Sequence, residues 1–592
     1  MKISYLNKRD ENSRLLQFKA YELNYKIAKE AAKILADEDF FEYDEIISNR
    51  KLVQVYFEKI LFYNFISLSN QITIIQHDKI YKKKILYSSL YICDELFNNA
   101  LQNLGLKFRV RNKVTPTIKQ FFKNKLIFFS ENIIKKLSCT LLDSKKVNYN
   151  KQDVNIGINY SDGIVKNRRS DLFFLKDSDN LKENVFLYFE YPGIKKKHLE
   201  LEKIEALIQE YGIKSIDLWK WKQNKIFYDI SLIKRKIKNP IEKWVFDEII
   251  NLIRQINFWQ NFFLDHNLKI HLDPSEHANS TIIKQIALEN INGLSLGKQR
   301  SYPTNIKGPF FHYYQNDIFF TWGEDSNNKL QKTENYIKQF LMSGYPYPIN
   351  KNYSENYIQN NFNNKVKFKI LLIDNGHSFN EEEGVGQNIF TNDLYNFYNK
   401  FFELASNDPE VGLIIKCKRY SDFMKLKNIH KIAKKLEDQK QCVIIKDPFQ
   451  LSTIDVAQIA DLSVGISTFH PSAFFETLLS CNGIYFDYSN ILSNDNFFNQ
   501  GKGELFFNKL ETLIEKILSY KKNNFEDKEY INWSKFIYKI DYFRDGSGYI
   551  RIGEFISNLK KNLDKNLTSK KSIDNATYDY KNKWYKDNNL ND

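Results

Sequence analysis

The chain has 592 residues, 42% of them hydrophobic, so it is too long for one ordinary domain and rich enough for several buried cores. Its formal net charge of +15 admits nucleic acid, an anionic membrane or polyanionic substrates as partners. The Lys and Arg residues are scattered, with no zinc-finger spacing and no RNA-recognition aromatic signature, which sets nucleic acid aside.

The opening Met1-Lys2-Ile3-Ser4-Tyr5 soon turns charged, unlike a secretory signal. Residues 1–145 read as a mainly helical N-terminal extension, with apolar residues at helical spacing over Tyr21–Leu35 and Lys51–Ile66. The most apolar early stretch, Ile60–Gln76, is interrupted by Asn64, Ser67, Ser69, Asn70 and Gln71 and makes a poor membrane span. Lys79–Lys84 and Lys107–Lys125 read as solvated basic faces, or as contacts with acidic lipid. Any membrane contact is therefore expected to be peripheral, on the cytoplasmic face of an inner membrane. Cys93, Cys139, Cys417, Cys442 and Cys481 lie far apart and form no CxxC pair, which fits reduced thiols in a cytoplasmic protein.

From about residue 150, short apolar runs alternate with amphipathic stretches. Strands are predicted at Val154–Asn159, Asn184–Glu190, Ser215–Trp219, Leu268–Leu272, near Gly293 and at Asp317–Trp322. Helices are predicted at Lys197–Tyr211, Glu242–Asp265 and Ser280–Glu289. The Asn-rich stretch 350–364 reads as a linker. A second alternating unit has strands at Phe368–Ile373, Val411–Lys416, Cys442–Lys446, Leu462–Ile466 and Gly483–Phe486, with helices such as Asp455–Ala460 and Ser472–Leu479. This pattern predicts an α/β protein with two Rossmann-like doubly wound domains facing a cleft, at 150–350 and 365–530. A closing helix is expected over 531–563 and a mobile tail over 564–592.

Ligands of such sheets bind beyond the carboxyl ends of the strands, so the informative residues are those that end strands. The segment Ser467-Thr468-Phe469-His470-Pro471-Ser472 reads strand, hydroxyl-rich turn, helix. Unpaired amides at a helix start, beside the Ser467, Thr468 and Ser472 hydroxyls, suit a pyrophosphate. His470 can donate to a phosphate or protonate a leaving group, and Glu476, one turn on, can accept from ribose hydroxyls. An ordinary helix cap followed by a helical Glu reads equally well from these residues. Lys416 ends a strand within Ile415-Lys416-Cys417-Lys418-Arg419 and is placed to neutralise a diphosphate, although such a basic loop also suits plain surface. Lys446 ends the next strand and is expected to line a base pocket. His377, in the loop Asp374-Asn375-Gly376-His377-Ser378, is expected to face the other domain; a metal site built from it and Glu381-Glu382-Glu383 is not favoured.

In the first unit, Asp162 follows the first strand and can serve as general base, with Glu190 and Asp273 competing for that role; each also suits a plain turn. Arg300 can clamp an anionic donor or acceptor. His266, His271 and His277 lack ligand spacing and read as polar packing.

Several stretches resemble the bacterial surface carbohydrate biosynthesis proteins, a group of GT-B-like glycosyltransferases of lipopolysaccharide and capsule synthesis. They are Asn159-Tyr160-Ser161-Asp162-Gly163, Arg169-Ser170-Asp171-Leu172-Phe173-Phe174, Gln299-Arg300-Ser301, Phe320-Thr321-Trp322-Gly323, Ser343-Gly344-Tyr345-Pro346, Ser467 to Ser472, Arg544-Asp545-Gly546 and Arg551-Ile552-Gly553-Glu554. They span about residues 150 to 560; residues 1–145 carry no such likeness. The resemblance implies a nucleotide-sugar donor bound by the second unit and a lipid-linked saccharide acceptor. It also implies a last helix that returns toward the first domain.

The leading expectation is thus a glycosyltransferase that needs no cofactor and no metal, since protein cations and a helix terminus can stabilise the leaving phosphate. Alternatives are a sugar-nucleotide epimerase or polyol-phosphate transferase of the same fold, or a non-catalytic scaffold of a polysaccharide assembly complex. The N-terminal extension is expected to dock on the membrane or on a partner.

Overall fold

The computed structural model of the chain describes residues 8–11, 14–37, 49–77, 85–88, 94–112, 153–160, 172–190, 208–218, 221, 240–273, 279–304, 313–349, 358, 360–374, 376–378, 389–446, 451–467, 471–523 and 534–585. In the N-terminal extension, helices Leu16–Asp37, Arg50–His77 and Asp94–Asn103 accompany a parallel pair, β1 (Ile85–Ser88) and β2 (Arg109–Asn112). The Arg50–His77 helix buries residues around its whole circumference, because it is sandwiched between Leu16–Asp37 and the first α/β unit. There Phe57 meets Trp244 edge-on at 5.8 Å, and Asn49 Nδ2 donates to Tyr336 Oη at 2.5 Å. Lys29 pairs with Glu334 at 2.5 Å. Extension and first unit share one continuous core, so the extension is not a detachable module.

The first unit is a seven-stranded parallel sheet of β3 (Asn155–Asn159), β4 (Val185–Phe189), β5 (Lys214–Asp217), β6 (Leu268–Leu272), β7 (Leu294–Lys298), β8 (Gln315–Thr321) and β9 (Tyr336–Met342), ordered β5-β4-β3-β6-β7-β8-β9. The second holds β10 (Phe368–Asp374), a two-residue pair β11 (His377–Ser378) and β12 (Ile389–Phe390), then β13 (Val411–Lys416), β14 (Cys442–Ile444), β15 (Leu462–Ile466), β16 (Gly483–Phe486) and β17 (Phe506–Phe507). Its main sheet is ordered β14-β13-β10-β15-β16-β17. Both orders run outward from a first central strand in two directions, which is the doubly wound pattern, with a topological switch point between β3 and β6 and another between β10 and β15. The central strands are near-continuous apolar runs, as Val185–Phe189 and Val411–Lys416 show, because helices cover both faces. The α/β fold with two Rossmann-like units is therefore as expected.

One expectation needs correction. Residues 564–592 are not a mobile tail over their described part: Ser569–Trp584 is a helix packed on Gly548–Asp564. Thr568 caps it by accepting from the Lys571 N–H, and Ile573, Ala576, Thr577 and Tyr580 form its buried face. Tyr580 Oη donates to the Met342 carbonyl at 2.8 Å, so this helix covers the edge strand β9. The strand β9 itself, and the helix Glu324–Gln331 before it, were not anticipated. Of the predicted helix Lys197–Tyr211, residues 197–207 lie outside the described residues, as does most of the 350–364 linker up to 357.

The closing helix Gly548–Asp564 packs on the first unit, against Phe173–Leu175. Arg551, 1% exposed, clamps Asp545 through two bonds of 2.8 and 2.7 Å and donates to the Ser343 carbonyl at 2.8 Å. Asp541 accepts from the N–H groups of Tyr345, Phe543 and Arg544. Several of the stretches behind the family resemblance thus meet in space as fasteners of this helix.

Candidate functional site

At the switch point of the first sheet, the residues that end β3, β4 and β6 converge. Lys284, on the helix Ser280–Glu289, donates to Glu190 Oε1 at 2.7 Å and to Asp273 Oδ2 at 3.0 Å. Asn159 Nδ2 also donates to Glu190 Oε1, at 3.0 Å. Lys284 is 1% exposed and Asp273 4%, whereas Glu190 keeps 16%. Burial alone would lower the Lys284 pKa; the charges of Asp273 and Glu190, with Tyr188, hold it well above lysine's ordinary value instead. The ammonium also lies 4.6 Å from the Trp259 ring centroid. Beneath the cluster, Tyr188 Oη and His271 Nε2 are 2.7 Å apart. Burial and then Lys284 push the His271 pKa well down, and burial takes His266 to about 4, so both rings are neutral packing groups, as the sequence reading had it.

In the second unit, the Asp374 carboxylate gathers the ends of β10 and β13. It accepts from the N–H groups of Gly376 at 2.9 Å and Lys418 at 3.1 Å, and from Tyr398 Oη at 2.6 Å. Gly376 has φ +87°, a left-handed conformation that turns its N–H back onto Asp374. Lys416 is buried at the end of β13, and Lys418 and Arg419 follow it. The Lys418 pKa is lowered by the surrounding protein, then by the Arg419 charge; Asp374 opposes this and Arg300, from the first unit, adds to it. Arg300 follows β7 and Lys418 follows β13, so residues just past the carboxyl ends of the two sheets lie within electrostatic reach of each other.

A second bridge lies beside it. The Tyr302 N–H donates to Ser472 Oγ at 2.6 Å, and the Tyr302 ring sits 4.1 Å from Phe475. Lys329 reaches from the first unit to Asp495 of the second at 2.9 Å while pairing with Asp325 at 2.6 Å. Rings of Tyr302, Phe497 and Phe498 surround its ammonium.

Of the expected site residues, Glu190, Lys416, Ser467 and Arg300 stand at or just beyond the carboxyl ends of strands, whereas Ser472 opens the helix Ser472–Thr477 and Glu476 lies within it. Ser467 and Glu476 are buried, and the Ser467 carbonyl accepts from Tyr485 Oη at 3.0 Å. Lys446 is exposed and lies 3.7 Å from Glu437 on the helix Lys427–Asp438. The backbone of His377 pairs with Ile389. Asp162, Thr468 and His470 lie outside the described residues. Sequence reasoning missed Lys284, Tyr302 and Lys329, and gave Asp374 and Lys418 no role of their own. Lys284 left one signal, a lysine inside the apolar run Ile282-Ile283-Lys284-Gln285-Ile286-Ala287-Leu288. Among the described residues, no group of His, Cys, Asp and Glu is arranged to hold a metal ion, and no helix is long and apolar enough to cross a membrane.

Residues 290–513 match the family model described as polysaccharide biosynthesis PFTS motif protein. This stretch carries the strand ends of β7, β10, β13 and β15, and so both Arg300 and Lys416. No curated protein matches the chain. Among solved structures, the chain is similar to MnaA of S. aureus with UDP, at 11% identity and TM-score 0.40, over 68% of this chain and 96% of that one. It is similar to the wall teichoic acid polymerase TagF at 12% identity and TM-score 0.39, over 76% and 99%. It is similar as well to a UDP-GlcNAc 2-epimerase from Neisseria meningitidis bound to UDP-GlcNAc, at 12% identity and TM-score 0.39, over 68% and 99%. These likenesses are distant, and the fold stands on the strand orders described above.

Proposed function

We propose that the chain is a glycosyltransferase that moves a sugar from a nucleotide-sugar donor to a growing surface polysaccharide or glycolipid. The observation that carries this reading is that Arg300 of the first unit lies within electrostatic reach of Lys418 of the second, close to the buried Lys416 in sequence, while two residues on from Arg300 the Tyr302 N–H bonds Ser472 of the second unit. Like charges held together across two units suit a polyanion lying between them, and a diphosphate has the required charge and span. The matched polysaccharide-biosynthesis family supplies the context of the reaction.

In this reading Lys416, Lys418 and Arg300 take the charge that develops on the leaving diphosphate. Glu476 accepts from the ribose, and Ser467, Thr468 and Ser472 hold phosphate oxygens. His470 is available to protonate the leaving group. An acceptor hydroxyl attacks the anomeric carbon, the bond from that carbon to the phosphate oxygen breaks, and the hydroxyl proton passes to a carboxylate of the first unit. Glu190 is the described carboxylate that keeps solvent access while two donors hold it in place. Asp162 remains the other candidate for that role. The acceptor is lipid-linked, and the protein meets it from the cytoplasmic face of the membrane.

The test is product analysis with purified full-length protein, labelled nucleotide sugars and a lipid-linked saccharide. Label appearing in the lipid fraction, lost in Lys416→Ala and Glu190→Gln, is the expected result. Label staying on the nucleotide with an altered sugar means an epimerase, and unaltered donor under all conditions means a scaffold.

A further inference from the structure

The ends of β3 and β4 and the helix after β6 meet at one carboxylate oxygen. Asn159, the last residue of β3, and Lys284 both donate to Glu190 Oε1, at 3.0 and 2.7 Å. Glu190 Oε2 carries no hydrogen bond among the described residues and keeps access to solvent. The place is the switch point between β3 and β6, where ligands of such sheets bind.

Lys284 cannot follow Glu190 outward. Asp273 Oδ2 holds its ammonium from the other side at 3.0 Å, and the ring centroids of Trp259 and Tyr188 lie 4.6 and 5.5 Å from it. The Lys284 and Asp273 side chains are 1% and 4% exposed. That pair is already neutral, so Glu190 adds a negative charge at the open end of the cluster rather than completing a buried one.

We infer that Lys284 and Asn159 are positioning residues that hold Glu190 by Oε1 and leave Oε2 to take the proton of the acceptor hydroxyl, with Asp273 fixing Lys284 from behind. The inference rests on the glycosyltransferase reading and names Glu190 as its base. The acceptor oxygen bonds to the anomeric carbon as the bond from that carbon to the diphosphate oxygen breaks. The bonding pair leaves with the diphosphate, and the hydroxyl proton moves to Glu190 Oε2. A base held by one group that a third group orients in turn is a recurrent design for proton transfer.

The other charged and titratable groups around Lys284 and Glu190 are Asp273 and His271 from β6 and Tyr188 from β4, with Lys59 of the Arg50–His77 helix acting on Asp273. Burial keeps Tyr188 protonated and His271 neutral. Lys59 is common to every variant compared below, so its titration does not separate them.

The test takes two readings on the full-length chain. The first is carbodiimide coupling of an amine to Glu190, followed by mass spectrometry against pH. Coupling needs the protonated carboxyl, so removing the Lys284 charge should move its half-point upward by about one pH unit. The second is sugar transfer from a labelled nucleotide sugar to a lipid-linked saccharide. In Lys284→Met, kcat should fall about 100-fold while nucleotide-induced stabilisation stays as in wild type. The pH of half-maximal transfer should rise with the coupling half-point. Lys284→Arg should restore part of kcat and bring both half-points back toward wild type. Lys284→Met leaves Asp273 buried without this cation, so Lys284→Met combined with Asp273→Asn serves where the single variant does not fold. Asn159→Ala removes a neutral donor and should lower kcat about tenfold, with a smaller rise in both half-points. An unmoved coupling half-point in the folded Lys284 variants, or a loss of kcat with an unchanged pH profile, overturns the inference, since Lys284 then only supports the fold. A wild type that transfers no sugar overturns the glycosyltransferase reading, and the coupling half-point still decides on the link from Lys284 to Glu190.

Discussion

The backbone N–H of Tyr302, in the first unit, donates to Ser472 Oγ, in the second, at 2.6 Å. The turn expected to hold a pyrophosphate is thereby tied to the other unit. A hydroxyl accepts and donates at once, so Ser472 can hold Tyr302 and still present its hydrogen to a phosphate. Ser472→Ala is expected to weaken nucleotide binding about tenfold, the scale of one hydrogen bond to a charged oxygen. Calorimetric titration measures it; unchanged affinity would leave Ser472 a purely interdomain role.

Lys329 holds the same joint by charge. It is 8% exposed, its partner Asp495 4%, and the pair crosses between the units. Lys329→Met leaves Asp495 buried without that cation and should cost about 3 kcal/mol. Urea unfolding measures this, and adding Asp495→Asn should recover part of the loss; additive losses would show that the two do not act as a pair.

Acid should destabilise the protein through its buried histidines. Burial lowers His266 from 6.5 to about 4, so its folded-state pKa lies below its unfolded value. The neutral ring contributes fully above pH 6.5, and that contribution is lost as pH falls toward 4, by about 3 kcal/mol. His266→Phe, beside Phe262 at 4.9 Å and Phe186 at 6.4 Å, should flatten the stability curve in that window. A curve as steep as wild type would place the acid sensitivity elsewhere, as at His271.

The parts of the fold that were legible in the sequence are those in which one local rule dominates. Leu268–Leu272, Val411–Lys416, Leu462–Ile466 and Gly483–Phe486 are short apolar runs bounded by turn residues, and they are strands over those residues. The edge strand β9 was not legible because only one of its seven residues, Leu341, is buried; Lys338 and Gln339 interrupt the apolar pattern. The helix Ser569–Trp584 was hidden by a composition of Lys, Asp and Asn, although Ile573, Ala576, Thr577 and Tyr580 keep helical spacing. Within the site, strand-end residues such as Glu190 and Lys416 were legible from position alone. Lys284 and Tyr302 were not, because their partners lie far away in sequence and a lysine in an apolar run does not say which carboxylate it meets.

The helix that closes over β9 makes its own prediction. Tyr580→Phe removes the bond to the Met342 carbonyl and should cost about 1 kcal/mol. Deleting residues 566–592 should cost several times more, because it uncovers the edge of the first sheet. Thermal unfolding reads both; a truncated chain as stable as wild type would show that the helix adds nothing to the core.

The central claim is that the opposed sheet ends hold a nucleotide diphosphate. It is tested most directly by the thermal stability of the full-length protein against UDP, GDP, CDP, CMP and their sugar conjugates, with Lys416→Ala and Arg300→Ala beside it. One nucleotide class should raise Tm in a concentration-dependent way, with the rise lost in Lys416→Ala and reduced in Arg300→Ala. No rise with any nucleotide, or a rise that both variants keep in full, would contradict the account.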